Sequence, residues 1–284
     1  MFGSLRRSIM MKQRILALLL FLIVLTGCGG KGDDGTVTVA LLDTGVSSQA
    51  LEQTRLLPGY NYVTGTGDTE DRLNHGTAVA SIWLGCESAG VEALAPEAYV
   101  VPLVVFDKGT TGVAPDTLAQ AIRDSVDRYD ADILNISLGI RKDVEEVRKA
   151  IAYAERKGVL VVAAVGNEGD SEAPYYPAAY ETVVAVGSHD EDLNPSSFSQ
   201  KNAAVDLLAP GENLWLASRT GKPYGAKGTS FAAGHVTAAA VRLLLAEPGL
   251  KPAELRERLF AAAQDIGAPG YDPESGWGIA CWTE

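Results

Sequence analysis

The stretch Val37-Thr38-Val39-Ala40-Leu41-Leu42-Asp43-Thr44-Gly45 is an almost unbroken apolar run that ends abruptly at a carboxylate and a glycine. A run without polar alternation is typical of a strand that is buried on both faces of a sheet. Similar runs rich in β-branched residues follow at 99–106, 133–137, 159–165 and 183–187, and a shorter one at 205–208 predicts a strand nearer an edge.

Helical patterns lie between and after these runs. Residues 118–128 and 144–157 predict two helices between strands, and residues 229–247 and 251–263 predict two later ones, the last begun by Pro252. Strands that alternate with helices predict an α/β fold with a parallel sheet covered on both sides. Functional side chains are then expected at the carboxyl ends of the strands.

Asp43 follows the first predicted strand directly, and Gly45 lets the chain turn away behind it. A carboxylate in this position can accept the N–H of an imidazole and fix its tautomer. It can equally cap a turn or a following helix. Alone, this segment does not distinguish a catalytic carboxylate from a capping one.

His75 opens the segment His75-Gly76-Thr77, which leads into an apolar helical stretch with the imidazole at its start. Two other histidines are present, His189 in a polar loop and His235 inside the predicted Ala-rich helix. A histidine inside a helix is expected to be structural. His75 is therefore the candidate general base.

Ser230 follows Gly228-Thr229 at the start of that Ala-rich helix, where the positive end of the helix dipole favours a developing oxyanion. A serine here could also be a helix cap. However, a carboxylate, an imidazole and a hydroxyl in the order Asp, His, Ser form one of the known chain orders of a catalytic triad. Together the three segments predict a serine hydrolase.

These segments, in this order, resemble the subtilisin-like serine proteases, the subtilases, over about residues 37–280. The resemblance implies a three-layer subtilisin-like α/β fold with a mainly parallel central sheet flanked by helices. It also implies an endopeptidase that cleaves polypeptides through an acyl-enzyme, with Ser230 as nucleophile, His75 as base and Asp43 as the group that orients it. No cofactor is implied for catalysis.

The resemblance extends to the substrate cleft. Residues 163–169 resemble the family's oxyanion segment, in which Asn167 is the matching donor beside the Ser230 amide. The implied pocket walls are Ser137, Leu138 and Gly139 on one side and Ala164, Val165 and Gly166 on the other. Small walls predict room for an apolar or aromatic side chain, although Glu168 at the rim could instead attract a basic one.

Some residues depart from the family pattern. Gly234 replaces a proline after the nucleophile and is expected to loosen that turn of helix, Phe231 stands where many relatives have methionine, and Ala78 replaces a second histidine. Gly234, together with the short segment between Cys28 and the first strand, leaves open a catalytically silent lipoprotein that uses the same cleft to bind peptides or a protein partner. An esterase of another α/β family is disfavoured, because Thr229-Ser230-Phe231-Ala232 lacks the Gly-x-Ser-x-Gly elbow.

The first residues predict export and anchoring. A basic segment precedes the apolar run 15–25, which is too short for a membrane span, and Leu25-Thr26-Gly27-Cys28 resembles the bacterial lipobox. We therefore expect a signal peptide at 1–27, acyl chains such as palmitate on Cys28, a tether at 28–36 and a peptidase domain at 37–284. The expected location is the bacterial cell envelope, extracytoplasmic and held to the lipid bilayer; the alternative is a plain signal peptide with an incidental cysteine.

The acidic composition bears on partners. The chain carries a net charge of -12, and removal of residues 1–27 deletes four of its 24 basic and none of its 36 acidic residues, leaving about -16. Such a surface disfavours nucleic acid and anionic lipid, so any membrane attachment must come from the acyl chains. Only residues 29–36 separate Cys28 from the first strand, so the domain is expected to fold unaided or with a separate chaperone or inhibitor.

Cysteine and metal chemistry is weakly indicated. Cys86 and Cys281 could pair in an oxidising compartment or remain small buried residues, and the second reading is favoured. Neither lies in a metal-ligand spacing, so no metal site is predicted. The acidic loop 67–71 could hold a structural calcium ion, but a solvated loop is favoured.

Overall fold

A computed structural model of the chain describes residues 35–169, 171 and 173–281. The predicted signal peptide, the predicted lipidation site Cys28 and most of the predicted tether lie outside the described residues. The described strands are β1 (Val37–Asp43), β2 (Tyr60–Asn61), β3 (Ala98–Val104), β4 (Ile133–Ile136), β5 (Leu160–Ala164), β6 (Val183–His189), β7 (Leu207–Pro210), β8 (Leu214–Ala217) and β9 (Pro223–Ala226). The described α-helices are α1 (His75–Leu84), α2 (Pro115–Asp127), α3 (Glu145–Arg156), α4 (Thr229–Ala246) and α5 (Pro252–Ala261).

Strands β1 to β7 form one sheet in the order β2-β3-β1-β4-β5-β6-β7, and every pairing within it is parallel. β1 lies between β3 and β4. The chain therefore builds β2 and β3 on one side of β1, and it then crosses to the other side to build β4 to β7. The crevice at such a reversal, beyond the carboxyl ends of the strands, is where α/β proteins place their sites. Asp43 and Ser137 both lie there, directly at the ends of β1 and β4.

Two helical layers cover the sheet. Alternate residues of each strand face opposite sides, so Leu41 packs in the cluster with α1, α4 and α5, whereas Leu42 packs in the cluster with α2 and α3. Both leucines are essentially inaccessible to solvent. The predicted three-layer α/β architecture with a mainly parallel sheet is confirmed.

Helix α4 runs through the larger of these layers. In the part of the chain that the structure describes, it is the one helix long and apolar enough to cross a bilayer, but 67% of that window is buried inside the domain. It contacts β4, β5, β6 and β7 of the sheet. Its apolar character is therefore that of a central core helix.

The small elements differ from the sequence prediction. β2 has only two residues, and β8 and β9 form a separate antiparallel hairpin. None of these three strands was predicted, because their residues are too few or too exposed to give an apolar run; Trp215 in β8 is 71% exposed. They lie outside the part of the sheet that carries the candidate site.

Candidate active site

Asp43 and His75 form a direct pair at the end of β1. The Nδ1 atom of His75 lies 2.7 Å from Oδ1 of Asp43, which also accepts the Thr44 amide at 2.7 Å. The carboxylate is 2% exposed. A Cβ on Gly76 would meet the Gly45 carbonyl oxygen at 2.1 Å and Asp43 Oδ1 at 3.1 Å, so only glycine lets helix α1 approach this closely.

A second carboxylate fixes the start of helix α1. Asp71 is 3% exposed and accepts hydrogen bonds from the hydroxyls of Thr44 and Thr77, at 2.9 and 2.6 Å. Backbone amides of Leu73, Asn74 and Thr77 complete its shell at 2.8, 3.0 and 2.9 Å. Because Thr44 adjoins Asp43 and Thr77 lies two residues after the base, Asp71 ties together the segments that carry both groups.

The acidic loop 67–71 does not form a cage for calcium. Asp68 forms a salt bridge with Arg72 at 2.6 Å, and Glu70 accepts a hydrogen bond from the Ser48 hydroxyl. Both carboxylate oxygens of Asp71 accept hydrogen bonds from the protein. No group of three or more His, Cys, Asp or Glu side chains converges as metal ligands within the described ranges. Calcium takes about six to eight oxygen ligands, so this loop does not fit it. Within this loop Asp71 is buried, whereas Gly67, Asp68 and Glu70 are exposed.

The electrostatic environment suits His75 to proton transfer. Burial lowers the pKa of His75, but the charge and hydrogen bond of Asp43, assisted by the charge of Asp71, outweigh burial and raise it above its usual 6.5. The ring is still partly accessible, at 33% for the side chain. A raised pKa stabilises the imidazolium that forms when the ring takes a proton.

Ser230 is the second residue of helix α4 and is 7% exposed. Its hydroxyl donates to the Ser137 carbonyl at 3.1 Å, and the Ser137 hydroxyl donates to the Ser230 carbonyl at 3.1 Å. The ring of the next residue, Phe231, lies 5.3 Å from the His75 ring between centroids. The imidazole therefore borders the nucleophile turn. The Ser230 hydroxyl hydrogen-bonds to Ser137 and not to His75, and a rotation of the Ser230 side chain would redirect it; catalytic hydrogen bonds often form only when substrate binds.

The helices that carry the base and the nucleophile are joined directly. Trp83 of α1 is fully buried and donates its indole N–H to the Gly234 carbonyl of α4 at 2.7 Å. A Cβ on Gly234 would lie 2.9 Å from Cδ1 of Ile82. The glycine that departs from the family pattern therefore permits a close helix contact, and α4 continues unbroken through it.

Asn167 follows β5 and reaches the start of α4. Its Oδ1 accepts the Thr229 amide at 2.9 Å and the Thr229 hydroxyl at 3.1 Å. With the oxygen engaged, Nδ2 is the end of the side chain that can donate to a bound oxygen. The Ser230 amide lies in the first turn of α4, where helix N–H groups have no acceptor within the helix. These are the two donors that an oxyanion requires.

A cavity of about 340 Å³ adjoins Ser230. Five of the six predicted wall residues line it, together with the oxyanion candidate and the nucleophile: Ser137, Leu138, Gly139, Ala164, Gly166, Asn167 and Ser230. Val165 does not, because neighbouring residues at the end of β5 face opposite sides of the sheet. Its side chain packs in the core with α2 and α3.

Tyr175, which sequence reasoning missed, also lines the cavity, as does Glu168. Room for an aromatic substrate side chain was predicted without taking this ring into account. The ring lies between Gly139 and Gly166 of the two walls. No local pattern identifies Tyr175, since it lies in a loop whose path depends on its partners. The adjacent aromatic pair Tyr175-Tyr176 after Pro174 is the one signal that the sequence offers.

The other described histidines, His189 and His235, and the described cysteines, Cys86 and Cys281, are not part of the pair formed by Asp43 and His75. His235 donates to the Phe231 carbonyl, and burial lowers its pKa to about 4, in agreement with a structural role. His189 ends strand β6 and is 6% exposed, so its prediction as part of a polar loop is wrong. Cys86 and Cys281 are both free thiols, and Cys86 is buried.

The model of the subtilase family matches residues 34–278 of this chain. The chain is similar to the major intracellular serine protease of Bacillus subtilis, with 37% identity over 74% of this chain and 68% of that protein. It is also similar to the minor extracellular protease Epr of the same organism, with 33% identity over 86% of this chain but only 37% of that protein. The chain therefore spans about a third of one relative and two thirds of the other.

The fold is similar to that of a solved structure as well. A psychrophilic protease, S41, superposes with a TM-score of 0.79 at 28% identity, covering 87% of this chain and 91% of the other.

Proposed function

The chain belongs to the subtilase family of serine-type endopeptidases, and from this membership we propose that it hydrolyses peptide bonds through an acyl-enzyme on Ser230. The observation that carries the proposal is the contact between the buried carboxylate of Asp43 and the partly exposed ring of His75, 2.7 Å apart, beside the turn that bears Ser230. A carboxylate, an imidazole and a hydroxyl at the end of the sheet are the groups that acyl transfer needs.

In the first half of the reaction, the Ser230 hydroxyl turns from the Ser137 carbonyl towards the imidazole. Oγ attacks the peptide carbonyl carbon while Nε2 of His75 takes the hydroxyl proton. The imidazolium then gives this proton to the leaving amine. Asp43 accepts the Nδ1–H hydrogen bond of His75 and stabilises the imidazolium by its charge.

In the second half, water replaces the amine. His75 removes a proton from that water as it attacks the acyl carbon, and then returns the proton to Ser230 as the acid product leaves. In both halves the negative oxygen can be met by Nδ2 of Asn167 and the Ser230 amide. The orientation of Asn167 by Thr229 supports this assignment, because it fixes the donor before substrate binds.

The cavity beside Ser230 supports a polypeptide substrate. Ser137, Leu138 and Gly139 leave the end of β4 along one side of it and supply backbone groups with which an extended chain can pair. A small molecule would not require a cleft bordered by such a segment.

We extend the proposal to a lipid-anchored enzyme of the cell envelope, acylated on Cys28. Support comes from the lipobox-like sequence Leu25-Thr26-Gly27-Cys28 after the apolar run 15–25. Several acyl chains give stable anchoring where one gives only marginal binding. In the bacterial host, Cys28→Ser should abolish incorporation of labelled palmitate and move the protein from the membrane to the soluble fraction; retention of label would refute this part.

The test of the activity compares Ser230→Ala with Ser197→Ala, an exposed serine outside the cavity. Wild type and Ser197→Ala should react with a fluorophosphonate probe and cleave casein. Ser230→Ala should do neither, because only an activated hydroxyl is phosphonylated. Equal casein cleavage by Ser230→Ala would refute the assignment, whereas a folded wild type that neither reacts nor cleaves would favour the silent peptide-binding alternative.

A further inference from the structure

Tyr175 closes the slot between the two walls of the cavity. We propose that this ring restricts the substrate residue on the acyl side of the cleaved bond to small, uncharged side chains such as those of alanine and serine. The inference rests on the proposed peptidase function and concerns the same cavity. It replaces the prediction that the slot admits an aromatic side chain.

The ring touches both walls. A Cβ built on Gly139 would lie 3.0 Å from Cδ1 of Tyr175, and a Cβ built on Gly166 would lie 2.9 Å from Cδ2. These two carbons are on opposite edges of one ring, so the ring spans the gap between the glycines. A benzyl group inserted into the same gap would have to displace it.

The backbone around Tyr175 is fastened on both sides. Tyr176 pairs with Ile140 in an antiparallel bridge, with amide-to-carbonyl distances of 2.8 Å in both directions. On the preceding side, Nε2 of Gln200 donates to the Ala173 carbonyl at 2.7 Å. These hydrogen bonds restrain the loop on both sides of Tyr175, so a loop movement that carried the ring away would have to break them.

The ring is also held through its side chain. The Tyr175 hydroxyl donates to Oε1 of Glu168 at 2.9 Å, and the guanidinium of Arg141 lies 5.4 Å from the ring centroid. Burial and the bond to Glu168 raise the pKa of Tyr175, so the hydroxyl stays protonated as a donor. Cation–ring contact adds a modest further stabilisation at such a partly exposed site.

The same cluster also determines whether the slot attracts a charged substrate side chain. Glu168 lines the cavity and by itself would attract a lysine or arginine of the substrate. Its carboxylate is instead paired with Arg141, which supplies the neutralising cation from the chain itself. A basic substrate side chain therefore finds no uncompensated negative charge, and the slot favours uncharged residues.

The test measures kcat/KM on internally quenched peptides that differ only at the acyl-side residue, with alanine, phenylalanine or lysine there. Wild type should cleave the alanine peptide fastest. Tyr175→Gly should raise the phenylalanine-to-alanine ratio on the order of 10²-fold, the discrimination that pocket size usually supplies. Tyr175→Phe keeps the ring and should keep the wild-type preference for alanine over phenylalanine.

Tyr153→Ala is the matched control, because Tyr153 also donates to a carboxylate and meets a cation, but on helix α3 outside the cavity. It should leave all ratios unchanged. Arg141→Gln should raise cleavage of the lysine peptide about tenfold by releasing the charge of Glu168.

The outcomes separate this inference from the function on which it rests. A wild type that prefers phenylalanine to alanine overturns the restriction while leaving the peptidase assignment intact, even if Tyr175→Gly does not fold. The restriction is also overturned if Tyr175→Gly changes kcat/KM by the same factor on all three peptides. Cleavage of no peptide, with no fluorophosphonate labelling of Ser230, refutes the peptidase function itself.

Discussion

Replacing Asp43 by asparagine isolates the contribution of one buried charge to catalysis. Oδ1 of Asp43 serves both Thr44 and His75, whereas Oδ2 has no hydrogen-bond partner among the residues that the structure describes. An asparagine can therefore keep its oxygen on both partners and place its nitrogen at the partnerless position. The geometry is retained and the negative charge is lost.

The expected loss follows from Coulomb's law. The carboxylate and the imidazolium that forms in the transition state have charge centres about 4 Å apart, which at an effective dielectric constant of about 20 is about 4 kcal/mol. This corresponds to about a 10³-fold loss of kcat. In another serine protease, the corresponding substitution lowers kcat about 10⁴-fold, a loss of similar order.

The pH profile gives the second readout. In wild type, kcat/KM should rise with pH through an apparent pKa above 6.5, because His75 must be neutral to act as base and Asp43 raises its pKa. In Asp43→Asn, burial of the ring remains without the compensating charge, so the apparent pKa should fall. Asp206→Asn, at a half-buried carboxylate outside the cavity, is the control and should leave kcat unchanged. An Asp43→Asn enzyme with wild-type kcat and pH profile would refute the reasoning.

Three further changes test other parts of the structure. Asn167→Leu should lower kcat about 10²- to 10³-fold with little change in KM, a magnitude known from subtilisin, and an unchanged kcat would exclude this amide as an oxyanion donor. Burial raises the pKa of Asp206 to about 6 from 3.8, so the folded protein loses stability as pH rises through that window. Asp206→Asn should therefore raise the free energy of unfolding by ~1 kcal/mol above pH 6 and hardly below 3.8, and the reverse order in urea titrations would contradict the burial argument. Trp83→Phe should lower the free energy of unfolding by about 1–3 kcal/mol, because the buried Gly234 carbonyl loses its donor, and an unchanged urea midpoint would show that water replaces the indole.

Much of the fold could be predicted from the sequence because the central strands are buried on both faces. The first run was expected at 37–42 and forms β1 as Val37–Asp43, and the helix expected at 229–247 forms α4 as Thr229–Ala246. Continuous apolar runs define such elements without reference to partners. The hairpin of β8 and β9 could not be found in this way, since it is short and partly exposed.

The candidate-site residues that stand near a glycine at a tight turn could be predicted from the sequence. Those whose position depends on contacts with distant residues could not. Asp43 and His75 stand beside Gly45 and Gly76, whose small size makes the local turns recognisable. By contrast, the burial of Asp71 depends on donors brought from Thr44 and Thr77, which no local pattern reveals. Tyr175 is a similar case, because its position depends on distant backbone partners.

The indole of Trp83 joins α1 to α4 within a solvent-free layer, between the segments that begin with the imidazole and with the alcohol. Neither helix can shift along its axis without straining the other. Warming should therefore not produce an intermediate that is folded but has a misaligned centre. Proteolytic activity and the native circular dichroism signal should instead be lost over the same narrow temperature interval.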